Sequence, residues 1–546
     1  MFSTPCARHR QRGTTLILFT LLIPTVIVPL VGLGIDATML YIVQAKLSAA
    51  VDGAVLGAGR LLGTPANPSE IAGEFLKANF RADGTAGFWG ARNLVSNINV
   101  TLGTTKTITI NATADVPLLF ARIFGRNTST VAASATATKK DTRLVLVIDR
   151  SGSMNTSDGH GGTVINDLIN YAQGFTQKFT EGNDELGLVV FDGSAVVGYP
   201  TVRPWDPTTT GTSTGGPDTS FLSGSNTDMV HQIRAIKADS GTGMAEALWL
   251  AYIELQKAHM RDLTNTGSDT RMNSIVLFTD GVPSGVTLYL NNPANSNANN
   301  IVQSTSCTYR TISMAQQDSA HMMVGWLAIP GPPYSGSSPY GMYLLASTDP
   351  TASHTAAWWM SFGGSNNAAD VAQPNPSTPY SGCSNLMNGG PNSYLYGNLS
   401  QIPAIDRYGN SLTGNGYTHC HIVDSNGNVS SVYNGTALDR TQVTQNYHWG
   451  LAIWNSVDNT AAAIRNDVNL ANRPGDTQNM SIQIFAIGYL GNGGADDGLL
   501  RRVANDQSSS SFDPTKPIGR YIAASDTVAL ANAFSSVASS VLRLAQ

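Results

Sequence analysis

Leu144-Val-Leu-Val-Ile148, followed at once by Asp149-Arg-Ser-Gly-Ser153, is the stretch on which the fold turns. Five apolar residues in a row, bounded by polar ones, read as a strand buried on both faces, the pattern of a parallel sheet. Ligands of open α/β sheets collect at the carboxyl ends of such strands. Here that end offers the carboxylate of Asp149 and the hydroxyls of Ser151 and Ser153, with Gly152 letting the loop turn between them. Oxygen donors of this kind suit a hard divalent cation.

Two later pieces have the same character. Ile275-Val-Leu-Phe-Thr279 is a second buried strand and ends at Asp280, while Ser240-Gly-Thr-Gly-Met-Ala-Glu-Ala-Leu248 places Thr242 where a loop becomes a helix. Magnesium asks for near-octahedral oxygen coordination, so donors from neighbouring strand ends are needed to complete a site. Alone, Asp-x-Ser-x-Ser is weak, because a helix N-cap or a turn uses the same residues. Three pieces, each after the correct element and in the correct order, carry more weight. The expected set is therefore Asp149, Ser151, Ser153, Thr242 and Asp280 around Mg2+ or Mn2+. Hydroxyl donors leave such a cation much of its charge and an exchangeable position, which the Asp or Glu carboxylate of a partner protein fills; this is binding chemistry, and the chain is not expected to be an enzyme.

Outward from the motif, helix and strand periods alternate: a helix over 164–179, strands over 186–191 and 195–199, and a helix over 229–237. After Asp280 the next helical pattern is 449–464, followed by a strand over 482–488 and a final helix over 529–544. The pattern predicts an α/β, doubly wound, mostly parallel sheet over 141–546 with a large insertion at about 284–445. A structureless loop of that length is uncommon, so a partly folded subdomain is expected there. Its Trp358, Trp359, Tyr334, Tyr340, Tyr380 and Tyr394 serve either a recognition surface or a small private core.

Towards the N-terminus, residues 14–35 form an uncharged apolar run of about the 20 residues that cross a hydrocarbon core. Arg8, Arg10 and Arg12 precede it and Asp36 and Asp52 follow, so the positive-inside rule leaves 1–13 in the cytoplasm and everything beyond Ile35 across the membrane. A cleaved signal peptide is the other reading, but the run exceeds the usual apolar length of such signals. Helical spacing continues through Leu40, Val43, Leu47, Val51, Val55 and Leu61. Gly53, Ala54, Gly57, Ala58 and Gly59 allow close approach of a partner helix or of the chain's own domain. The rest of 36–140 reads as a small α+β spacer: a helix near 69–80, alternating strands at 100–102, 107–110 and 131–137, and a short helix over 116–125 closed by Gly125.

With 32 basic against 37 acidic residues, a net charge of -5 gives no reason to expect nucleic acid as a partner. Cys307, Cys383 and Cys420 fall in one loop-rich stretch, where an oxidising compartment could join two of them; free thiols fit as well. His419-Cys-His421 lacks a second pair at zinc-ligand spacing. Neither Gly-x-Ser-x-Gly nor His-Glu-x-x-His occurs.

The Arg-rich start, the apolar run from Gly13 and the segment from Asp36 to Ala58 resemble the N-terminus of TadE/TadG-like proteins of tight-adherence (Flp) pilus assembly, and the spacer to Lys140 is similar to theirs. Leu18 departs from the pattern, standing where pilin-type precursors carry Glu. Asp149, Ser151, Ser153, Thr242 and Asp280 resemble, residue for residue, the metal-ion-dependent adhesion site (MIDAS) of von Willebrand factor A domains. Ala461-Ala-Ala-Ile-Arg-Asn-Asp467, Leu499-Leu-Arg-Arg-Val-Ala-Asn505 and the last helix also resemble TadG-like A domains, while the insertion lies outside the resemblance. The resemblance implies a Rossmann-like A domain on a single-pass protein of the bacterial inner membrane, its bulk periplasmic or extracytoplasmic, binding an acidic residue of a pilus or envelope component. Two other classes share parts of the pattern: a metal-dependent accessory of a chelatase-like ATPase, which works where ATP is, and a structural tether with a vestigial metal site.

Overall fold

The computed structural model describes residues 18–64, 66–80, 87–103, 105–192, 195–200, 203–204, 215–222, 228–238, 242–289, 323–327, 341–345, 357–359, 401–406, 408–414, 422–423, 429–430, 437–442, 446–491 and 494–544. The chain forms two compact units, Met1–Lys140 and Asp141–Leu544.

In the first unit one helix runs from Leu18 to Gly59, 42 residues, with an apolar window long enough to cross a membrane and only 6% buried. Pro24 falls in a widened π turn, Ile23–Ile27, which absorbs the missing N–H and the bulk of the ring. From there α1, Val28–Gly59, continues. Its buried residues, Gly32, Asp36, Met39, Val43, Leu47, Ala50, Val51, Ala54, Val55 and Ala58, recur every three or four positions. That stripe packs with α2, Pro68–Phe80, on one face of an antiparallel sheet of β1 (Arg92–Thr101), β2 (Thr105–Pro117) and β3 (Thr128–Lys140). On β2 the alternation Ile108, Ile110, Ala112, Ala114, Val116 points inward, as a half-buried strand requires. The small residues of α1 are used within this unit: a Cβ on Gly59 would stand 3.1 Å from Ala137 Cβ, and one on Gly57 3.6 Å from the Phe75 ring.

These strands are longer than the sequence pattern predicts, because Thr, Asn and Ala on the outer face mask the alternation while β2 and β3 pair without a break from Thr105↔Lys140 to Pro117↔Thr128. The same pairing corrects the helix expected over 116–125. Val116 and Pro117 belong to the ladder, and only a 3-10 turn, Ala121–Phe124, remains before Gly125 closes it at φ 80°. Above that turn the Asp36 carboxylate accepts from the N–H groups of Leu119, Phe120 and Ala121 at 2.8, 2.9 and 2.7 Å. Burial works to raise this carboxyl, but the three donors and the Arg122 charge hold it below the usual carboxylate range.

The second unit is a three-layer α/β domain. Its sheet has the order β16-β15-β8-β4-β5-β6-β7, with β4 Thr142–Asp149, β5 Glu185–Phe191, β6 Ala195–Tyr199, β7 Arg203–Pro204, β8 Met272–Thr279, β15 Gln483–Tyr489 and β16 Arg520–Ala524. All neighbours are parallel except β5–β6 and β6–β7. On β4, Leu144, Leu146 and Ile148 face a layer of α3 (Val164–Thr176), α4 (Met229–Arg234) and α8 (Thr527–Leu544). Val145 and Val147 face the other layer, α5 (Met244–Thr266), α6 (Asn446–Arg465) and α7 (Asp497–Ala504). This two-sided burial is why the strand reads as a continuous apolar run.

Between β8 and α6, β9 (Gly285–Tyr289), β10 (Met323–Leu327), β11 (Gly341–Leu345) and β12 (Ala357–Trp359) make an antiparallel four-stranded sheet, and β13 (Ile422–Val423) pairs with β14 (Val429–Ser430). Residues 401–414 join the domain core: Asn455 Nδ2 donates to Leu412 O at 3.1 Å, Ser456 Oγ to Asp406 Oδ2 at 3.0 Å, and Tyr408 stacks on Trp249 at 5.8 Å.

Candidate metal centre

The three separate pieces of chain meet at the carboxyl ends of β4 and β8. Asp149 is the last residue of β4, and Asp280 follows β8 directly. The Ser151 N–H donates to Asp149 Oδ1 at 2.7 Å, and the Thr279 hydroxyl to Asp149 Oδ2 at 2.5 Å. Asp280 Oδ1 accepts from the hydroxyls of Ser153 at 2.7 Å and Ser151 at 3.3 Å, and those two hydroxyls lie 3.0 Å apart. Thr242 stands just before α5. A Cβ on Gly281 would sit 3.7 Å from Thr242 Oγ1 and 3.8 Å from Ser153 Oγ, so both hydroxyls border the same glycine. The Thr242 backbone is fixed by Ser284, its N–H donating to Ser284 Oγ and its carbonyl accepting from the Ser284 N–H, each at 2.9 Å. All five expected residues are thus gathered at one place.

Electrostatically the place is unbalanced. Asp149, Ser151, Thr242 and Asp280 are buried, while Gly152 and Ser153 are exposed and mark the side open to solvent. Burial, with the Asp280 charge added, pushes the Asp149 carboxyl up to about 8, and burial pushes Asp280 up to about 6 despite its serine donors. Asp280 Oδ2 is buried and meets no donor among the described residues. A buried carboxylate oxygen with no donor costs stability. Two carboxylates, three hydroxyls and one unsatisfied oxygen fit a hard divalent cation, which would be held by Asp149, Ser151, Ser153, Thr242 and Asp280. Among the described residues no group of three or more His, Cys, Asp or Glu side chains is arranged to hold a metal ion.

Two supports escaped the sequence reading. The Arg150 guanidinium donates to Asp192 Oδ2 at 2.6 Å, both side chains being buried, and its backbone N–H donates to Phe191 O at 2.8 Å. The Asp192 carbonyl in turn accepts from the Gly243 N–H. This ties the first site loop through the end of β5 to the segment carrying Thr242. The signal was available: Asp192 follows an apolar strand just as Asp149 does. Thr279, the donor to Asp149, is the other, hidden as the last residue of an apolar run. Cys307, Cys383, Cys420, His419, His421, Tyr334, Tyr340, Tyr380 and Tyr394 lie outside the described residues, so the disulfide, zinc and aromatic-surface readings stay as sequence expectations.

The class of this domain is given by a direct match: residues 144–282 fit the family model of the von Willebrand factor type A domain. Residues 13–61 fit the model of Flp pilus-assembly TadE/G-like proteins. The chain therefore joins a TadE/G-like N-terminal segment to a von Willebrand factor A domain. Among solved structures, a variant of the PilB minor pilin from Streptococcus sanguinis is similar at 13% identity over 84% of this chain and 80% of that one, with a TM-score of 0.31. The vWF domain of the type V pili tip protein Mfa5 from Porphyromonas gingivalis is similar at 16% identity over 75% and 98%, TM-score 0.30. The pilus adhesin SpaC from Lactobacillus rhamnosus GG, in an open conformation, is similar at 10% identity over 85% and 35%, TM-score 0.31. No curated protein matches the chain.

Proposed function

We propose that the protein is a membrane-anchored, divalent-cation-dependent binding protein of pilus assembly or surface attachment, which grips an acidic side chain of a pilus or envelope component. The observation that carries this reading is the buried pair Asp149 and Asp280, ringed by hydroxyls and with one carboxylate oxygen that meets no donor among the described residues. A bound Mg2+ or Mn2+ supplies a coordination position that a partner's carboxylate takes from water. The chain's own part is to hold Asp149 through Thr279 and the Ser151 N–H, to aim Ser151 and Ser153 at Asp280, and to leave the Ser153 side open for the partner. The TadE/G-like match supports the pilus assignment, and the N-terminal apolar helix supports single-pass anchoring in the inner membrane. The arginines before that helix favour a cytoplasmic N-terminus with the A domain on the far side.

The test is calorimetric titration of Mg2+ and Mn2+ into the detergent-solubilised protein and its Asp149→Ala variant. Saturable binding by the parent and none by the variant is expected. A parent that binds neither ion would make the A domain a scaffold and the metal site vestigial.

A further inference from the structure

The first unit carries an apolar surface that its own fold leaves bare. On the turn after β2, Leu119, Ile123 and Phe124 are 56%, 67% and 61% exposed. Phe120, between them, turns the other way, onto α1: a Cβ on Gly32 would stand 2.3 Å from Phe120 Cγ and 2.6 Å from its Cβ, so only glycine admits this contact. Gly32 lies within the apolar run of 14–35, four residues before Asp36, or about 6 Å nearer the bilayer centre along the helix axis. The turn is thus fixed at the depth where the hydrocarbon ends. Its backbone is prepared for that depth, because the N–H groups of Leu119, Phe120 and Ala121 are all taken by Asp36, and unpaired backbone donors are costly where water is scarce.

The flanks suit a bilayer surface as well. Arg122 and Arg126 are exposed beside the three apolar side chains, long cations that can reach lipid phosphates while their stems lie along apolar surface. Trp89, 54% exposed, sits on the neighbouring turn, where a Cβ on Gly90 would lie 3.3 Å from Pro117 Cγ. Tryptophan is enriched at membrane–water interfaces. We propose that the 119–124 turn inserts Leu119, Ile123 and Phe124 into the lipid leaflet beside the anchor helix, so that the first unit is seated on the membrane surface rather than held off it by a swinging helix. The proposal rests on reading the Leu18–Gly59 helix as the membrane anchor and adds a second point of contact.

The experiment uses the full-length protein in vesicles of phosphatidylcholine and phosphatidylglycerol, with and without phosphatidylcholine brominated along its acyl chain. Single additions Phe124→Trp and Ile123→Trp are compared with Leu30→Trp, inside the apolar run, and with Leu102→Trp, on the β1–β2 turn about 40 Å from Pro117 along the strand. Reading each against the parent, the added emission at 30, 123 and 124 should be largely quenched by the brominated lipid and that at 102 untouched. Quenching at 30 without quenching at 123 and 124 would leave the anchor in place and overturn the inserted turn, which would then face water or another protein. Loss of quenching at 30, 123 and 124 together would overturn the anchor reading and the proposal with it.

Discussion

Strand β4 has Arg143 near its start and Asp149 at its end, about 20 Å apart, and the two ends of the sheet treat buried charge in opposite ways. Around Arg143, itself wholly buried, stand Glu185 at 2.7 Å, Asp262 at 2.7 Å and Asp269 at 2.5 Å. Arg261 adds a second cation to Glu185 at 2.6 Å, and Arg271 pairs with Asp262. His259 lies between Asp269 and Asp476, and Arg473 joins Asp476 to Asp467. Burial works to raise the Asp269 carboxyl, but the His259 hydrogen bond and the Arg143 charge pull it down to about 2. At the other end Asp149 and Asp280 face one another with hydroxyls and the Ser151 N–H, and both are pushed up. Where every carboxylate has its cation the network serves the fold. Where no side-chain cation faces the carboxylates among the described residues, the metal proposed above would supply the charge.

The largest effect that would separate the two ends comes from removing one charge at each. Arg143→Ala removes the cation shared by three buried carboxylates, and breaking a buried network in this way costs about 3–5 kcal/mol. Asp149→Ala removes one of two opposed carboxylates and should leave stability without added metal unchanged or raised. Urea unfolding followed by the emission of the buried Trp449 and Trp454 checks both. Equal losses in the two variants would make the Asp149 end a structural network like the other.

That contrast also explains what could be read from the chain. The gathering of Asp149, Ser151, Ser153, Thr242 and Asp280 was legible because each stands at the boundary of an element, after an apolar strand or, for Thr242, before a helix. The same period located β4, β5, β6, β8, β15, α3, α6 and the C-terminal helix. Arg143, Asp262, Asp269 and Asp476 gave no signal, since charged residues so far apart in the chain become a cluster only when the sheet closes. Asp36 carried a sign for membrane orientation, and nothing local tied it to Leu119, Phe120 and Ala121. Asp406 lay within a span read as an insertion, yet it is packed under α6.

Asp406 sharpens the comparison, because among the described residues it is met by hydrogen bonds and by no cation. It is fully buried, with Oδ1 accepting from the N–H groups of Tyr408 and Asn410 at 2.8 Å each and Oδ2 from Ser456 Oγ at 3.0 Å. Burial outweighs these donors and pushes its carboxyl up to about 7, against about 3.9 in an unfolded chain. Below pH ~4 both states hold the proton. As pH rises from about 4 towards 7 only the unfolded state releases it, so this residue makes stability fall across that window and then level off. Asp406→Asn keeps the shape and should remove that part of the slope, lowering the pH dependence by a few kcal/mol at most. Parallel slopes for parent and variant between pH 4 and 7 would show that the three donors do balance the charge, and hydrogen bonding would then rank with Arg143 as compensation.

The smallest effect tests how the open end is held. The Thr279 hydroxyl donates to Asp149 Oδ2 at 2.5 Å and sits close to the Gly281 backbone, its oxygen 3.2 Å from that carbonyl and 3.3 Å from that amide nitrogen. It supplies none of the five proposed ligand oxygens; it turns the Asp149 carboxylate and joins it to the loop of Asp280. Residues in such outer positions commonly change metal affinity by about 10–100-fold when replaced, which is about 1.4–2.7 kcal/mol. Thr279→Val keeps the β-branched shape inside β8 and removes only the donor. Its Mg2+ affinity by calorimetry should fall by that factor, while its urea midpoint without metal moves far less than that of Arg143→Ala. Because the hydroxyl also steadies a buried carboxylate when no cation is bound, the two readouts must be taken together. A large fall in the midpoint with unchanged affinity would mean that Thr279 serves the fold, as Arg143 does, and that the open end is less specialised than its charges imply.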